Sequence, residues 1–120
     1  MKESLCVLVL EEFCGEGQKT YVAQALEQDI ATQVAPGASL FDVIEALGDM
    51  FDAHDAIREI EKDAEKPPMA PMAYYDAWQR NSFNIGDMPL GKDRRAHVRL
   101  LRDGYAIAIL GRKRPEIVKR

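Results

Sequence analysis

The side chains whose type and spacing best suit chemistry are five carboxylates between residues 42 and 59. They recur at steps of three, four and seven residues, which bring side chains to one face of an α-helix, and they are Asp42, Glu45, Asp49, Asp52 and Glu59. Like charges at these steps repel each other by about 0.2–0.5 kcal/mol per pair, and the first basic residue of the segment comes only at Arg58. Two interpretations stay open: a solvated helix exterior, and a surface that binds a basic partner.

A second set of charged side chains is basic and lies near the end of the chain. Its members are Arg94, Arg95, Arg99, Arg102, Arg112, Lys113 and Arg114. Lysine and arginine side chains in such a cluster can contact phosphates and so bind nucleic acid in a salt-dependent way. The same cluster can instead be a solubilising tail, or can dock against the acidic helix of another subunit.

The remaining reactive side chains give weak support for catalysis. His54 falls on the apolar side of the predicted helix and His97 at a strand start, and neither has Cys or carboxylate neighbours at metal-ligand spacing. Ser39 lacks the surrounding glycines of a nucleophile elbow, and the Gly-Glu-Gly stretch at 15–17 lacks the rest of a phosphate-binding fingerprint. The sequence therefore predicts no catalytic residue, metal ligand or cofactor, and a protein that is not an enzyme.

The start of the chain and the cysteines indicate a cytoplasmic protein. The apolar run at 5–10 is too short for a signal peptide, and no run approaches the length of a membrane span. Cys6 and Cys14 are eight residues apart, which is neither a redox motif nor a disulfide framework. We expect both to be ordinary thiols in a reducing compartment.

Charge divides the chain into two halves. Residues 1–66 carry fifteen acidic and five basic side chains, whereas residues 67–120 carry five and eleven, and the whole has a net charge of −4. We expect residues 1–66 to form the core and residues 67–120 an extension of the same domain or a dimerisation element. This asymmetry suggests charged partners, or attraction between halves within a dimer.

The elements that must position these side chains can be predicted from periodicity. Strands are expected at 5–12, 20–26 and 29–34, with the first one central because it is almost entirely apolar. A helix should run from a Ser39 cap to about Glu65, since Asp42 completes a capping box. Its apolar stripe, which should cover the sheet, consists of Leu40, Val43, Ile44, Leu47, Met50, Phe51, His54, Ile57 and Ala64.

The second half is predicted to add a short helix and a hairpin. A stiff Pro-rich linker at 66–71 leads to a helix at 72–80, whose aromatic side chains are Tyr74, Tyr75 and Trp78. Residues 81–93 have the composition of a loop, residues 97–111 the alternation of a β-hairpin, and the basic tail from 112 onward should be loose. The predicted fold class is α+β: a small antiparallel sheet, ordered β-β-β-α and then a short helix and a hairpin, packed on one long helix.

Residues 4–60 resemble the HicB-like antitoxin family. The features that carry the resemblance are Tyr21-Val22-Ala23, Thr32-Gln33, Gly37, Ser39 and Glu45-Ala46. The resemblance implies a truncated ribonuclease H-like sheet covered by the helix. It also implies the binding and silencing of HicA, a small basic toxin that cleaves messenger RNA. Many members of the family also carry a C-terminal DNA-binding segment and form oligomers, but residues 67–120 show no helix-turn-helix pattern.

The sequence thus predicts a binding protein that sequesters a basic protein partner, most simply a toxin. In this interpretation the acidic helix supplies charge complementarity, and Tyr74, Tyr75 and Trp78 supply apolar anchors. One alternative is a phage- or mobile-element-encoded inhibitor of anti-CRISPR type, whose acidic helix mimics nucleic acid and blocks a large nucleic-acid-processing complex. Another is an autorepressor that binds DNA through the basic half. A homo-oligomer, dimeric or higher, is expected because the last hairpin would expose pairing edges.

Overall fold

Strand β1 (Glu3–Cys14) lies at the centre of a five-stranded sheet, as its composition predicts. Val7 and Val9 point to one face and Leu8 to the other, and all three are buried. A strand buried on both faces needs a nearly continuous apolar run, which accounts for the sequence here. The computed structural model describes residues 3–61, 67–108 and 115–119.

The sheet is mixed, which corrects the prediction of an antiparallel one. Its strands besides β1 are β2 (Gln18–Ala25), β3 (Ala31–Gln33), β4 (Ser82–Leu90) and β5 (Arg94–Leu101). The order is β3-β2-β1-β5-β4, and all neighbours are antiparallel except β1 and β5, which run parallel. A parallel pair needs a long crossover connection, and residues 15–93 provide one between these two strands. Strands from residues 1–66 and from residues 67–120 therefore share one sheet.

Helix α1 (Leu40–Ile60) covers one face of the sheet. Its predicted capping box is confirmed: the Asp42 N–H donates to Ser39 Oγ at 3.1 Å, and the Ser39 N–H donates to Asp42 Oδ2 at 2.8 Å. The buried helix side chains are Val43, Ile44, Leu47 and Phe51. The helix ends at Ile60, five residues earlier than predicted, because Glu61 leaves the helical conformation while its N–H bonds the Ile57 carbonyl. Residues 62–66, including Ala64 of the predicted stripe, lie outside the described residues.

The opposite face of the sheet is covered by helix α2 (Met72–Arg80) and a separate two-stranded sheet, β6 (Tyr105–Ala108) and β7 (Glu116–Lys119). The bounds of α2 are those predicted. This second core is built on apolar side chains from several elements: Leu8, Leu26, Ala70, Ala77 and Leu101. The linker residues 67–71 pack against the turn after β2, where the Ala70 N–H donates to the Leu26 carbonyl at 2.9 Å.

Two predictions for the second half are wrong. Residues 82–90 form β4 rather than a loop. Gly86 and Pro89 give this segment the composition of a loop, yet both residues are tolerated in a strand at the edge of a sheet. The predicted hairpin at 97–111, of which residues 109–111 lie outside the described residues, is not found in the part that is described, since β5 pairs with β1 and β4 whereas β6 pairs with β7. Residues 116–119 of the predicted loose tail are the strand that β6 needs.

Of the two arms of that predicted hairpin, β5 has a neighbour on both sides, whereas β6 pairs only with β7 among the described residues, so an edge of the kind on which the oligomer prediction depends is still unpaired there. Oligomerisation itself stays a prediction. Within the described ranges, no helix is long and apolar enough to cross a membrane.

Candidate functional site

A groove of about 540 Å³ runs between helix α1 and the edge strand β4. Its apolar lining comes from Phe41 and Ile44 on the helix and from Met88 and Pro89 on the strand. Ile44 is buried, but Phe41 leaves 67% of its surface in solvent. The groove thus combines a packed apolar base with an aromatic side chain that a partner could cover.

The rim of this groove is acidic. Glu45, Asp49 and Asp52 line it, and the first two are exposed. The side-chain carboxylate of neither Glu45 nor Asp49 has a hydrogen bond or ion pair with any residue that the structure describes. Two carboxylates of the predicted acidic face are therefore available at the groove, four residues apart on one helix.

Other members of that face have structural partners. Asp42 belongs to the capping box, and Asp52 Oδ1 accepts from the Lys92 N–H at 3.1 Å. Glu59 is exposed on the last turn of α1 and does not line the groove, and His54 is half-buried. Of the five predicted acids, two thus lie at the groove without a side-chain partner in the part of the chain that the structure describes, two make hydrogen bonds within the fold, and one lies away from the groove.

Close backbone packing holds the groove in shape. A Cβ built on Gly48 would lie 2.5 Å from the Gly91 nitrogen, and one built on Gly91 would lie 2.6 Å from Asp52 Oδ1. Gly91 also has a φ of +72°, which favours glycine. These glycines let the turn between β4 and β5 lie directly against α1. Neither glycine is among the residues predicted from the sequence.

Arg94, predicted as a nucleic-acid or dimer contact, is instead an internal cation. Its side chain is 5% exposed, and its two terminal nitrogens bond the Asp55 carboxylate at 2.6 and 2.8 Å. Glu3 lies 3.2 Å away, and the guanidinium carbon is 4.8 Å from the Phe51 ring centroid. The hydrogen bond with Asp55 raises the pKa of Arg94, although burial opposes it. This arrangement ties α1 to β5 and to the start of β1.

The rest of the basic cluster is dispersed. Arg99 donates to Ser82 Oγ and to the Ser82 carbonyl, each at 2.8 Å, and lies over the Trp78 ring. Arg95 is half-buried, and its Nε has no hydrogen-bond partner among the described atoms. Arg102 is exposed. The predicted contacts Arg112, Lys113 and Arg114 lie outside the described residues.

The three aromatic side chains proposed as anchors are half-buried and pack against the second core, the one beneath α2. Tyr75 Oη donates to the Leu26 carbonyl at 2.7 Å, and Trp78 Nε1 donates to the His97 carbonyl at 3.3 Å. Tyr74 packs against the same core, where burial raises its pKa. Attachment of α2 to the sheet accounts for all three without a partner.

A cross-strand pair of His97 and Asp87 is the arrangement that comes nearest to catalytic chemistry. The two side chains hydrogen-bond at 2.6 Å, and both are about half exposed. No described Ser, Thr or Cys side chain hydrogen-bonds the other ring nitrogen, so a nucleophile is not positioned by it. Asp87 is not among the predicted site residues, because the sequence predicts a loop where β4 forms.

Cys6 is a protected thiol. Burial, and then the charge of Glu27, raise its pKa to about 12, so the nucleophilic thiolate is scarce at neutral pH. The carboxylate of Glu27 also accepts the Cys6 N–H at 2.9 and 3.1 Å. Within the described ranges, no three His, Cys, Asp or Glu side chains are arranged to hold a metal ion.

Comparisons with protein-family models, with curated proteins and with solved structures found no match to this chain. The HicB-like resemblance therefore stays a prediction, and what can be said of function depends on the groove and its charges.

Proposed function

We propose that this chain is a non-enzymatic binding protein that sequesters a basic protein, most simply a toxin ribonuclease as in HicB-like antitoxins, through the acidic face of α1. The observation that carries the proposal is the pair Glu45 and Asp49, whose exposed carboxylates lie beside an apolar groove and have no side-chain partner among the described residues. Repulsion between two carboxylates at i, i+4 costs the helix about 0.2–0.5 kcal/mol. A bound partner with Lys or Arg side chains beside the two carboxylates offsets this repulsion by electrostatic attraction.

Charge complementarity of this kind accelerates association and excludes acidic competitors more than it adds affinity. The Debye length at physiological salt is about 8 Å, so exposed carboxylates act at short range and lose strength as salt rises. Binding by this surface is therefore expected to weaken with increasing ionic strength.

The placement of the arginines favours this function over DNA binding. Arg94 bonds Asp55 through both terminal nitrogens, and Arg99 bonds Ser82 through Nε and one terminal nitrogen. A side chain held in this way is poorly suited to neutralise a phosphate, and salt-dependent DNA affinity grows with the number of phosphates neutralised.

The test is affinity capture from a lysate of the organism that encodes the chain, with three tagged baits. The first is the wild type and the second carries Glu45→Lys and Asp49→Lys. The third is a control with Glu61→Lys and Glu116→Lys, two exposed acids outside the groove, and it has the same net charge as the second.

A small basic protein that the wild type and the control retain, and that the second bait loses, is the expected result. Recovery of the same proteins by all three baits contradicts the proposal. Recovery of a large nucleic-acid-processing complex in place of the small protein would show the mimicry alternative to be correct.

A further inference from the structure

We propose that the groove between α1 and β4 binds an amphipathic helix of the partner, with apolar side chains against Phe41 and Met88 and Lys or Arg side chains beside Glu45 and Asp49. This inference rests on the proposed function, because it names the segment of the basic partner that the acidic face would recognise.

The apolar half of the recognition comes from Phe41. With 67% of its surface exposed, this ring has most of its burial free energy still to gain; complete burial of a Phe side chain contributes roughly 1.5–3 kcal/mol. Ile44 and Met88 beside it already pack against the core, so a partner side chain would meet a firm surface. Aromatic side chains at the centre of an interface often dominate its affinity.

The charged part of the recognition comes from carboxylates that differ in whether they already have a hydrogen-bond donor. At one end of the groove Asp52 Oδ1 accepts from the backbone N–H of Lys92, on the turn between β4 and β5. Glu45 and Asp49 have no such neighbour among the described residues. Four residues of helix rise by about 6 Å, so cations at i, i+4 on a helix lying alongside α1 would be in register with these two carboxylates.

The edge of β4 argues against an added strand as the occupant. Pro89 lacks the N–H that a new ladder would use, and the pairing of β4 with β5 shifts register between Asn84 and Gly86. Prolines and bulges are the features by which edge strands avoid pairing. A helix satisfies its own backbone groups and needs only side-chain contacts from the groove.

The inference can be tested with synthetic peptides of about eighteen residues built from Leu, Lys and Ala. In one peptide the Leu residues form a helical stripe with Lys at i, i+4 on either side, and in the second the same residues are scrambled. Fluorescence polarisation measures affinity at low and at physiological salt. Chemical-shift changes in isotope-labelled protein locate the site.

Four variants accompany the wild type in this experiment. Phe41→Ala tests the apolar anchor, and Phe13→Ala is its matched control, because Phe13 is 63% exposed and does not line the groove. The charge variant carries Glu45→Lys and Asp49→Lys, and its control carries Glu61→Lys and Glu116→Lys. Phe41 is so exposed that its loss should leave the fold intact.

The expected result is that the striped peptide binds and shifts resonances of residues 41–52 and 88–91. Phe41→Ala should weaken it about tenfold or more, and the charge variant should abolish binding at physiological salt, whereas both controls behave as the wild type. Equal binding of the scrambled peptide, or no binding of either peptide, would overturn the inference.

Failure of the inference can be told apart from failure of the proposed function. If the charge variant loses the peptide while Phe41→Ala keeps it, the groove is not the site but the acidic face still binds cations, so the proposed function stands. If the charge variant binds like the wild type, the peptide is not recognised by these carboxylates and the inference is wrong. The capture experiment then decides the proposed function separately.

Discussion

Replacement of Gly48 by Ala is expected to destabilise the protein, although the same change at most helix positions stabilises it. Glycine in a helix interior is about 1 kcal/mol less favourable than alanine, so helix propensity alone predicts a gain. The structure predicts the opposite sign, because the new Cβ would meet the Gly91 nitrogen at 2.5 Å and the Gly91 Cα at 3.2 Å. Both are backbone atoms, which cannot move away by a change of rotamer as side-chain atoms can.

The magnitude follows from these two effects. Overpacking of a well-packed contact typically lowers the free energy of unfolding by about 1–3 kcal/mol. A clash with backbone atoms is expected at the upper end of this range. After subtraction of the propensity gain, the net loss is about 1–2 kcal/mol. An unfolding entropy of about 2.1 cal/mol/K per residue over this chain gives a fall in Tm of about 4–8 °C.

Thermal unfolding followed by circular dichroism measures this shift. Gly15→Ala is the matched control: a Cβ there meets nothing within 4 Å and the residue does not have a positive φ, so its Tm should be unchanged or slightly higher. A Tm for Gly48→Ala equal to or above that of the wild type would refute the close approach of α1 to the β4–β5 turn. The shape of the groove depends on that approach.

Two further perturbations test the interior. Asp55→Asn should lower the free energy of unfolding by about 2–3 kcal/mol, less than for a fully buried pair because Asp55 is 38% exposed. The control Asp103→Asn, on an exposed turn, should change this free energy little. Equal urea midpoints for the two variants would contradict the internal role of Arg94. For Cys6 the folded-state pKa of about 12 lies above the ordinary value of 9.0, so the unfolded chain loses this proton first and stability falls as pH rises from about 9 to about 12. Cys6→Ala should show a shallower fall in urea midpoint between about pH 8 and about pH 10, and an identical slope would show that Cys6 does not contribute.

Local signals in the sequence predicted much of the first half of the fold. The Ser39–Asp42 capping box and the doubly apolar β1 act over a few residues, and their structural consequences are confirmed. Two predictions for the second half were wrong for different reasons. β4 and β5 form a local hairpin across residues 91–93, but Gly86 and Pro89 give β4 the composition of a loop. The partner of β6 is β7, whose paired residues lie 8 to 14 positions away, and no local pattern indicates that choice.

For the candidate site, local patterns predicted where the acids lie but not which groups they contact. The spacing of the acids predicts a shared helix face. Their individual partners could not be predicted, because Asp52 bonds a backbone group forty residues later and Asp55 bonds a side chain thirty-nine residues later. Arg94 and Arg95 are adjacent in a basic sequence, yet they point to opposite sides of a strand, and only Arg94 enters the core beneath α1. The groove was not predicted, since Met88 and Pro89 fell in the supposed loop.

The central claim, that Glu45 and Asp49 bind a basic protein, is tested most directly by the Kd of the captured partner as a function of salt. The wild type and the control with Glu61→Lys and Glu116→Lys should bind alike and lose affinity as salt rises. The variant with Glu45→Lys and Asp49→Lys should bind at least about tenfold more weakly at low salt, a loss of about 1.4 kcal/mol. Equal Kd values for all three proteins across the salt range would contradict the claim.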